Sequence, residues 1–338
     1  MKLDSLPAPH IRVAGTTRGL MWDCAFALSF LYAMAIYYHG LRAFVLGAFA
    51  AVCCLVCDRL AVRALGKKPN GRDVSAIVTG LILPLMMPAS IPYFVVAIAC
   101  AFAIVVAKAP FGGTGRNVFN PAAAGFSFVA FLFGPLLFTY PPPDTVLPVF
   151  GTIEFTATVS PAFIMMVGGT PGYDVLDMIL GNYPGPMGGT NILILLACLL
   201  YLVFRGAVRW TVPLSFFAAL ALLAAMFPRG PATGAASVGF ELATGLVLFG
   251  GIFLLGDPVT TPVRRGAKVA FGITAAIMVM LFRHFGNMEE QITYAILLMN
   301  ATVWGFDRMS ERQSAKVRRE LHEAELEAER DKALPKKQ

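Results

Sequence analysis

The residues that could do chemistry are few. "GDPVTTP" at 256–262 places Asp257 beside two prolines at the end of an apolar run, and Asp73 and Asp307 stand at the ends of two others. A carboxylate drawn towards a bilayer is costly and is retained where it serves an ion or a cofactor; a cap on the following turn is an equal reading for Asp257. "FGGTGRNVFNPAAAG" at 111–125 packs four glycines, Asn117, Asn120 and a proline into a turn. A dinucleotide fingerprint needs a strand before its glycines and an acid about 20 residues on, and a Walker loop ends in Gly-Lys-Ser/Thr. Neither context is present, so the residues alone give a tight turn with close backbone approach. "CCLVC" at 53–57 sets two thiols on one helical face without the second pair that a four-ligand site requires, and His10, His39, His284 and His322 stand isolated. These read as small buried hydrophobes and lone histidines.

The elements that must position these groups are membrane helices. The 338-residue chain is 57% hydrophobic and 14% charged, with a mean hydropathy of +0.69, against about 25% charged in an ordinary domain. Apolar runs at roughly 20–38, 43–62, 74–88, 92–108, 122–138, 191–205, 211–227, 240–256, 267–283 and 290–306 predict ten spans. Alternating them puts every lysine and arginine on one side except Arg42, Arg229 and Arg283, and the 139–190 connection has none. By the positive-inside rule both termini are cytoplasmic. The net charge of +7 is therefore a topology signal, and nucleic acid is excluded as a partner.

The expected organisation is a cytoplasmic N-terminus at 1–19, a first membrane half at 20–138, a non-cytoplasmic loop at 139–190, a second half at 191–306 and a charged cytoplasmic tail at 307–338. The tail, dense in both charge signs, reads as a solvated helix. Within the loop, the glycine-rich stretch 165–190 reads as functional because long loops in compact proteins seldom are filler. "TGLILPLMMPASIP" at 79–92 is echoed by "TGLVLFGGIFLLGDPVTTP" at 244–262. Each is third in a half of five, and the two run in opposite directions. The predicted fold is an all-α integral membrane protein of about ten transmembrane helices in two inverted five-helix repeats with broken helices, which would set polar sites between the halves.

"DVSAIVTGLILPLMMPASIP", "KAPFGGTGRNVFNPAAAG", "RWTVPLSF", "GDPVTTPV" and "YAILLMNATVWGFD" occur in an order and spacing that resembles the family of the Rnf complex D subunit and its sister, the B subunit of the sodium-pumping NADH:quinone reductase. The resemblance covers about residues 20–310. It implies a flavoprotein electron-transfer subunit in a prokaryotic plasma membrane complex, which passes electrons between ferredoxin and NAD and moves Na⁺ or H⁺. It would work with lipid and with the A, B, C, E and G subunits of the Rnf complex, and would not be a complete enzyme alone.

The family carries FMN attached through its phosphate to a threonine by a flavin transferase. "IMMVGGTP" is the best match to that motif and makes Thr170 the acceptor, with Ile164, Val167 and Gly169 departing from the pattern; the residues alone give a turn there. A second flavin held without a bond, FMN or riboflavin, would be lined by "NVFNPA" and "GDPVTTP", through Asn117, Asn120, Asp257, Thr260 and Thr261. Asp73 and Asp307 resemble ion-path acids of the sister subunit, that subunit being the alternative identity. A urea-transporter-like solute transporter or channel is the alternative from another class, since broken helices suit it equally.

Overall fold

In a computed structural model, residues 16–66, 74–113, 115–151 and 153–333 are described, the last stretch with side chains to 316. Asp73 lies outside them. The described residues are helical, with one isolated bridge between Tyr140 and Thr158.

The first group of helices is α1 (Thr17–His39), α2 (Leu41–Ala64), α3 (Ser75–Leu85), α4 (Tyr93–Ala101, continued by wide turns at Phe102–Val106) and α5 (Pro121–Leu137). Two short helices, α6 (Pro161–Met166) and α7 (Val175–Leu180), follow in the long connection. The second group is α8 (Ile192–Phe204), α9 (Thr211–Met226), α10 (Ala235–Ala243), α11 (Val247–Phe249, continued to Leu254), α12 (Arg265–Phe285) and α13 (Ile292–Ala333). α1, α2 and α12 are long and apolar enough to cross a membrane, and α10 with α11 forms a further such unit bent by 72°. α3, α4 with its extension, α5, α8 and α9 are shorter and apolar. This is the architecture of a membrane protein: phenylalanines and leucines stay exposed along the outer faces, as at Phe30, Phe131 and Leu200, where lipid rather than water is the favourable neighbour.

Small residues set the packing distances. A Cβ on Gly80 of α3 would lie 2.6 Å from the Ala51 Cα of α2, so only glycine allows that approach. α2 packs on α3 and α4, and α4 on α5; in the second group α9 packs on α12, and α12 on α13. The groups join where α1 meets α8 and α5 meets α13. The latter seam is polar: Ser127 Oγ donates to Thr293 Oγ1 at 2.9 Å, and Tyr294 donates its hydroxyl to the Ser127 carbonyl at 2.9 Å. Buried hydroxyl pairs of this kind fix the register of two apolar helices.

Both groups contain an interruption. Between α3 and α4 the chain turns through 86–92, and between α10 and α11 through 244–246. The echoing Thr-Gly-Leu segments do not break alike. Gly80 stays helical inside α3, whereas Gly245 adopts φ +70 at the break itself, a conformation that glycine takes without steric cost. The C-terminal part of the long connection enters the interior here. Pro184 to Asn191 are buried or nearly so, and Gly188 N and Met187 N donate to the Leu85 and Met87 carbonyls at 2.7 and 3.1 Å. A Cβ on Gly189 would sit 2.9 Å from the Gly245 carbonyl. The stretch read as an outer loop is thus a wedge between the two interruptions, and its glycines let three backbones meet.

Candidate functional site

A cleft opens at the end of the molecule where α1, α3 and α5 begin and α8 and α11 finish. Its empty volume is ≈ 800 Å³, counting the open mouth. Leu20 and Cys24 of α1, Val78 and Ile82 of α3, and Ile252 and Phe253 supply apolar walls. Asn117 and Asn120 from the glycine turn and Asp257 from the connection 255–264 supply a polar edge. The three residues singled out in two distant motifs therefore face one space.

Asn120 is the knot of that edge. Its side-chain oxygen caps α5 by accepting from Ala122 N and Ala123 N at 3.0 and 3.2 Å, and Pro121 fits the first helical position, where no N–H is needed. Its amide nitrogen donates to the Leu254 carbonyl and to Asp257 Oδ2, both at 3.4 Å. Its backbone N–H donates to Asn300 Oδ1 of α13 at 2.9 Å, and Asn300 donates in turn to the Thr260 carbonyl at 3.4 Å. One asparagine thus ties the glycine turn, the end of α11 and α13 together. Asp257 accepts from Val259 N at 3.1 Å, and burial in the 255–264 connection pushes its carboxyl up to about 6.

Thr260 and Thr261 are buried behind this edge, not on the cleft wall, and the Thr260 hydroxyl has no hydrogen-bond partner among the described residues. Asp307 is also off the wall: its carboxylate accepts from Val263 N at 2.9 Å, fastening the 255–264 connection to α13. Lys108 reaches the cleft while paired with Asp58 at 2.9 Å. Thr170 is exposed on the segment after α6 and lies elsewhere. Gly169, its neighbour, places its carbonyl 2.9 Å from where a Gly230 Cβ would be, so the "GGTP" turn sits against the α9–α10 connection, at the end of α9 opposite to its start near the cleft.

Sequence reasoning missed the densest polar cluster. Arg229 and Arg283 both pair with the fully buried Glu241 of α10. Arg283 also donates to the Glu241 and Thr244 carbonyls at 2.8 Å each, closing the end of α10. From the turn before α13, Glu290 accepts Leu246 N at 2.8 Å at the start of α11. A cation thus meets the negative end of one half-helix and an anion the positive end of the next, as the helix dipole favours. Glu289 beside it accepts from the Ser160 hydroxyl. The signal was present in the charge asymmetry. Arg42, Arg229 and Arg283, the three exceptions to it, are all buried and clamp the helix interruptions, Arg42 by donating to the Ala89 and Ile91 carbonyls at 2.7 and 2.8 Å. All three are internal partners.

Residues 5–316 match the NQR2, RnfD, RnfE family. The chain is 28% identical to the D subunit of the Na⁺-translocating ferredoxin:NAD⁺ oxidoreductase complex of Acetobacterium woodii, over 87% of this chain and 89% of the relative. It is 29% identical to the D subunit of the ion-translocating oxidoreductase complex of Actinobacillus succinogenes, over 88% and 93%. It is 27% identical to the D subunit of the proton-translocating ferredoxin:NAD⁺ oxidoreductase complex of Clostridium ljungdahlii, over 90% and 93%.

Proposed function

From the premise that the chain belongs to the NQR2, RnfD, RnfE family, we propose that it is the membrane-embedded D subunit of an ion-translocating ferredoxin:NAD⁺ oxidoreductase complex and relays electrons through flavin. The observation that carries the reading is the cleft in which Asn117, Asn120 and Asp257 converge. Its apolar walls suit the faces of a planar ring system, and its polar edge suits the donors and acceptors of a pyrimidine rim. The N-termini of α3 and α5 both open on it, where dipoles favour electron-rich atoms.

When bound, FMN or riboflavin would supply one-electron steps that no protein side chain here offers. The chain's own residues hold and tune. Asn120, whose amide nitrogen makes only long contacts at Leu254 and Asp257, has a donor to offer the ligand while its oxygen keeps the α5 cap. Asp257, with its raised pKa, is poised to hold or release a proton beside a ligand whose charge changes. Thr170, exposed and at a tight turn, is the position for covalent FMN attached by a flavin transferase.

The finer architecture belongs to the same proposal: ten spans in two inverted halves, both termini cytoplasmic, in a prokaryotic plasma membrane. The matching packing of α2–α4–α5 and α9–α12–α13 supports it, as does the internal placement of every basic residue that breaks the charge asymmetry. The A, B, C, E and G subunits of the Rnf complex would carry the NAD and most iron–sulfur chemistry.

Co-expression with the flavin transferase tests the reading. Wild type is expected to show in-gel flavin fluorescence that Thr170→Ala abolishes, and to release a second flavin on denaturation that Asn120→Ala diminishes. Protein free of flavin in both assays would overturn the relay and leave a solute channel.

A further inference from the structure

We infer that Glu289 and Glu290 form a binding site for one monovalent cation, H⁺ or Na⁺, at the break between α10 and α11, linked mechanically to the cleft. The inference rests on the ion-translocating reading above and adds a location to it.

Charge balance comes first. The groups facing the break are Glu241 of α10, Arg229 from the α9–α10 connection, Arg283 of α12, and Glu289 and Glu290 from the turn before α13; Ser160, Tyr140 and Tyr183 add hydroxyls from the long connection. Three carboxylates thus meet two guanidiniums. Both Glu241 oxygens are taken by arginine, which leaves Arg283 to spend its other bonds on carbonyls. One negative charge is left over in a region where Glu290 is 1% and Glu289 7% exposed. A buried uncompensated charge is among the costliest features a protein can hold.

Hydrogen bonding points to the same atom. Glu290 Oε2 has the Leu246 N–H, but among the described residues Glu290 Oε1 has no donor, and the neighbouring Gln291 side-chain oxygen is likewise an acceptor without a partner. Acceptors lacking donors are what a bound cation or an added proton supplies. Glu289, by contrast, has hydroxyls from Ser160 and Tyr140, groups that can rotate to donate or accept as the charge changes. Burial raises both carboxyls; the Glu290 charge adds to it at Glu289, about 8, while Arg283 and the Leu246 N–H hold Glu290 back to about 7, so uptake and release fall near physiological pH.

The linkage follows from one continuous rod. Leu246, held by Glu290, begins the segment that runs through α11 to Leu254, whose carbonyl accepts from Asn120 at the cleft edge. A change of charge on Glu290 alters the anchor at one end of that rod, and a change of charge in the cleft alters the anchor at the other.

Infrared spectroscopy of the purified full chain tests the site without requiring activity. At neutral pH and low Na⁺ the wild type is expected to show a protonated-carboxyl band that is lost as pH rises through 7–8, is reduced in Glu290→Gln and is missing in Glu289→Gln/Glu290→Gln. If added Na⁺ removes the band, or raises the wild-type but not the Glu290→Gln melting temperature, Na⁺ is the cation; indifference to Na⁺ with the band present assigns the proton. Ser160→Ala, which keeps both carboxylates, guards against a misfolded variant and should move the midpoint upward by removing a donor to Glu289. A band unchanged in Glu290→Gln, or no band together with no Na⁺ effect, overturns the site. In liposomes holding the whole complex, Glu290→Gln should lower cations moved per electron by about an order of magnitude. Absence of flavin with the carboxyl titration intact would defeat the relay reading while leaving the site standing.

Discussion

The two helix interruptions solve the same physical problem by different means. Between α3 and α4, Arg42 donates to the carbonyls of Ala89, Ile91, Pro148 and Val149 and lies over the Tyr93 ring, with no carboxylate among those partners. Between α10 and α11 two arginines and three carboxylates gather. The first clamp is a fixed cation satisfied by neutral carbonyls, and nothing in it titrates near neutral pH. The second has an acid in surplus and an oxygen without a donor, so its charge can change. A broken helix is therefore not by itself an ion site; what distinguishes the two is whether the charges around the break balance.

The largest effect should come from unbalancing the second break outright. Glu241→Ala leaves two guanidiniums without their anion and is expected to cost about 3–5 kcal/mol, read as loss of monodisperse protein in detergent. Arg42→Met leaves the two buried carbonyls, of Ala89 and Ile91, short of donors, at about 1 kcal/mol each, partly relieved by rearrangement of the 86–92 turn. An Arg42→Met protein less stable than Glu241→Ala would reverse the ranking.

The pH dependence sharpens the contrast. Carboxyls raised in the folded state add stability that is complete below their unfolded value, about 4.3, and is lost as pH rises through the folded values near 7 and 8. The thermal midpoint should fall over that interval in wild type and much less in a Glu289→Gln/Glu290→Gln double variant. Arg42→Met should keep the wild-type slope, since its break contributes no titration.

Smaller effects are expected at the cleft and the exposed turn. Asn120→Ala removes the α5 cap, worth about 1 kcal/mol, together with the side-chain bridge to α11, and should weaken retention of unattached flavin more than it lowers the melting temperature. Thr170→Ala touches an exposed side chain and should change stability by no more than about 0.5 kcal/mol, while abolishing any covalent flavin signal. A large stability loss there would mean that the "GGTP" turn is structural.

How much of this was legible in sequence differs from site to site. The convergence of "NVFNPA" and "GDPVTTP" could be expected because Asn-Pro and Asp-Pro punctuate apolar runs, and a polar residue at such a point needs a partner. The roles of individual residues could not: Thr260 and Thr261 lie behind the wall and Asp307 fastens a connection, since side-chain direction depends on neighbours distant in sequence. "GNMEEQ" reads as an ordinary polar turn, and only its docking against Leu246 makes it a buried acid pair.

Composition and hydropathy sufficed to make this an all-helical membrane protein, because a bilayer imposes those constraints on each segment locally. The ordered motifs sufficed to indicate the family. Tertiary structure alone decided that the three stray arginines face inward, that 183–191 wedges between two breaks and that one break is charge-balanced and the other is not. Electrostatic balance is a sum over groups brought together from α9, α10, α12, α13 and the long connection, and no single stretch of sequence contains that sum.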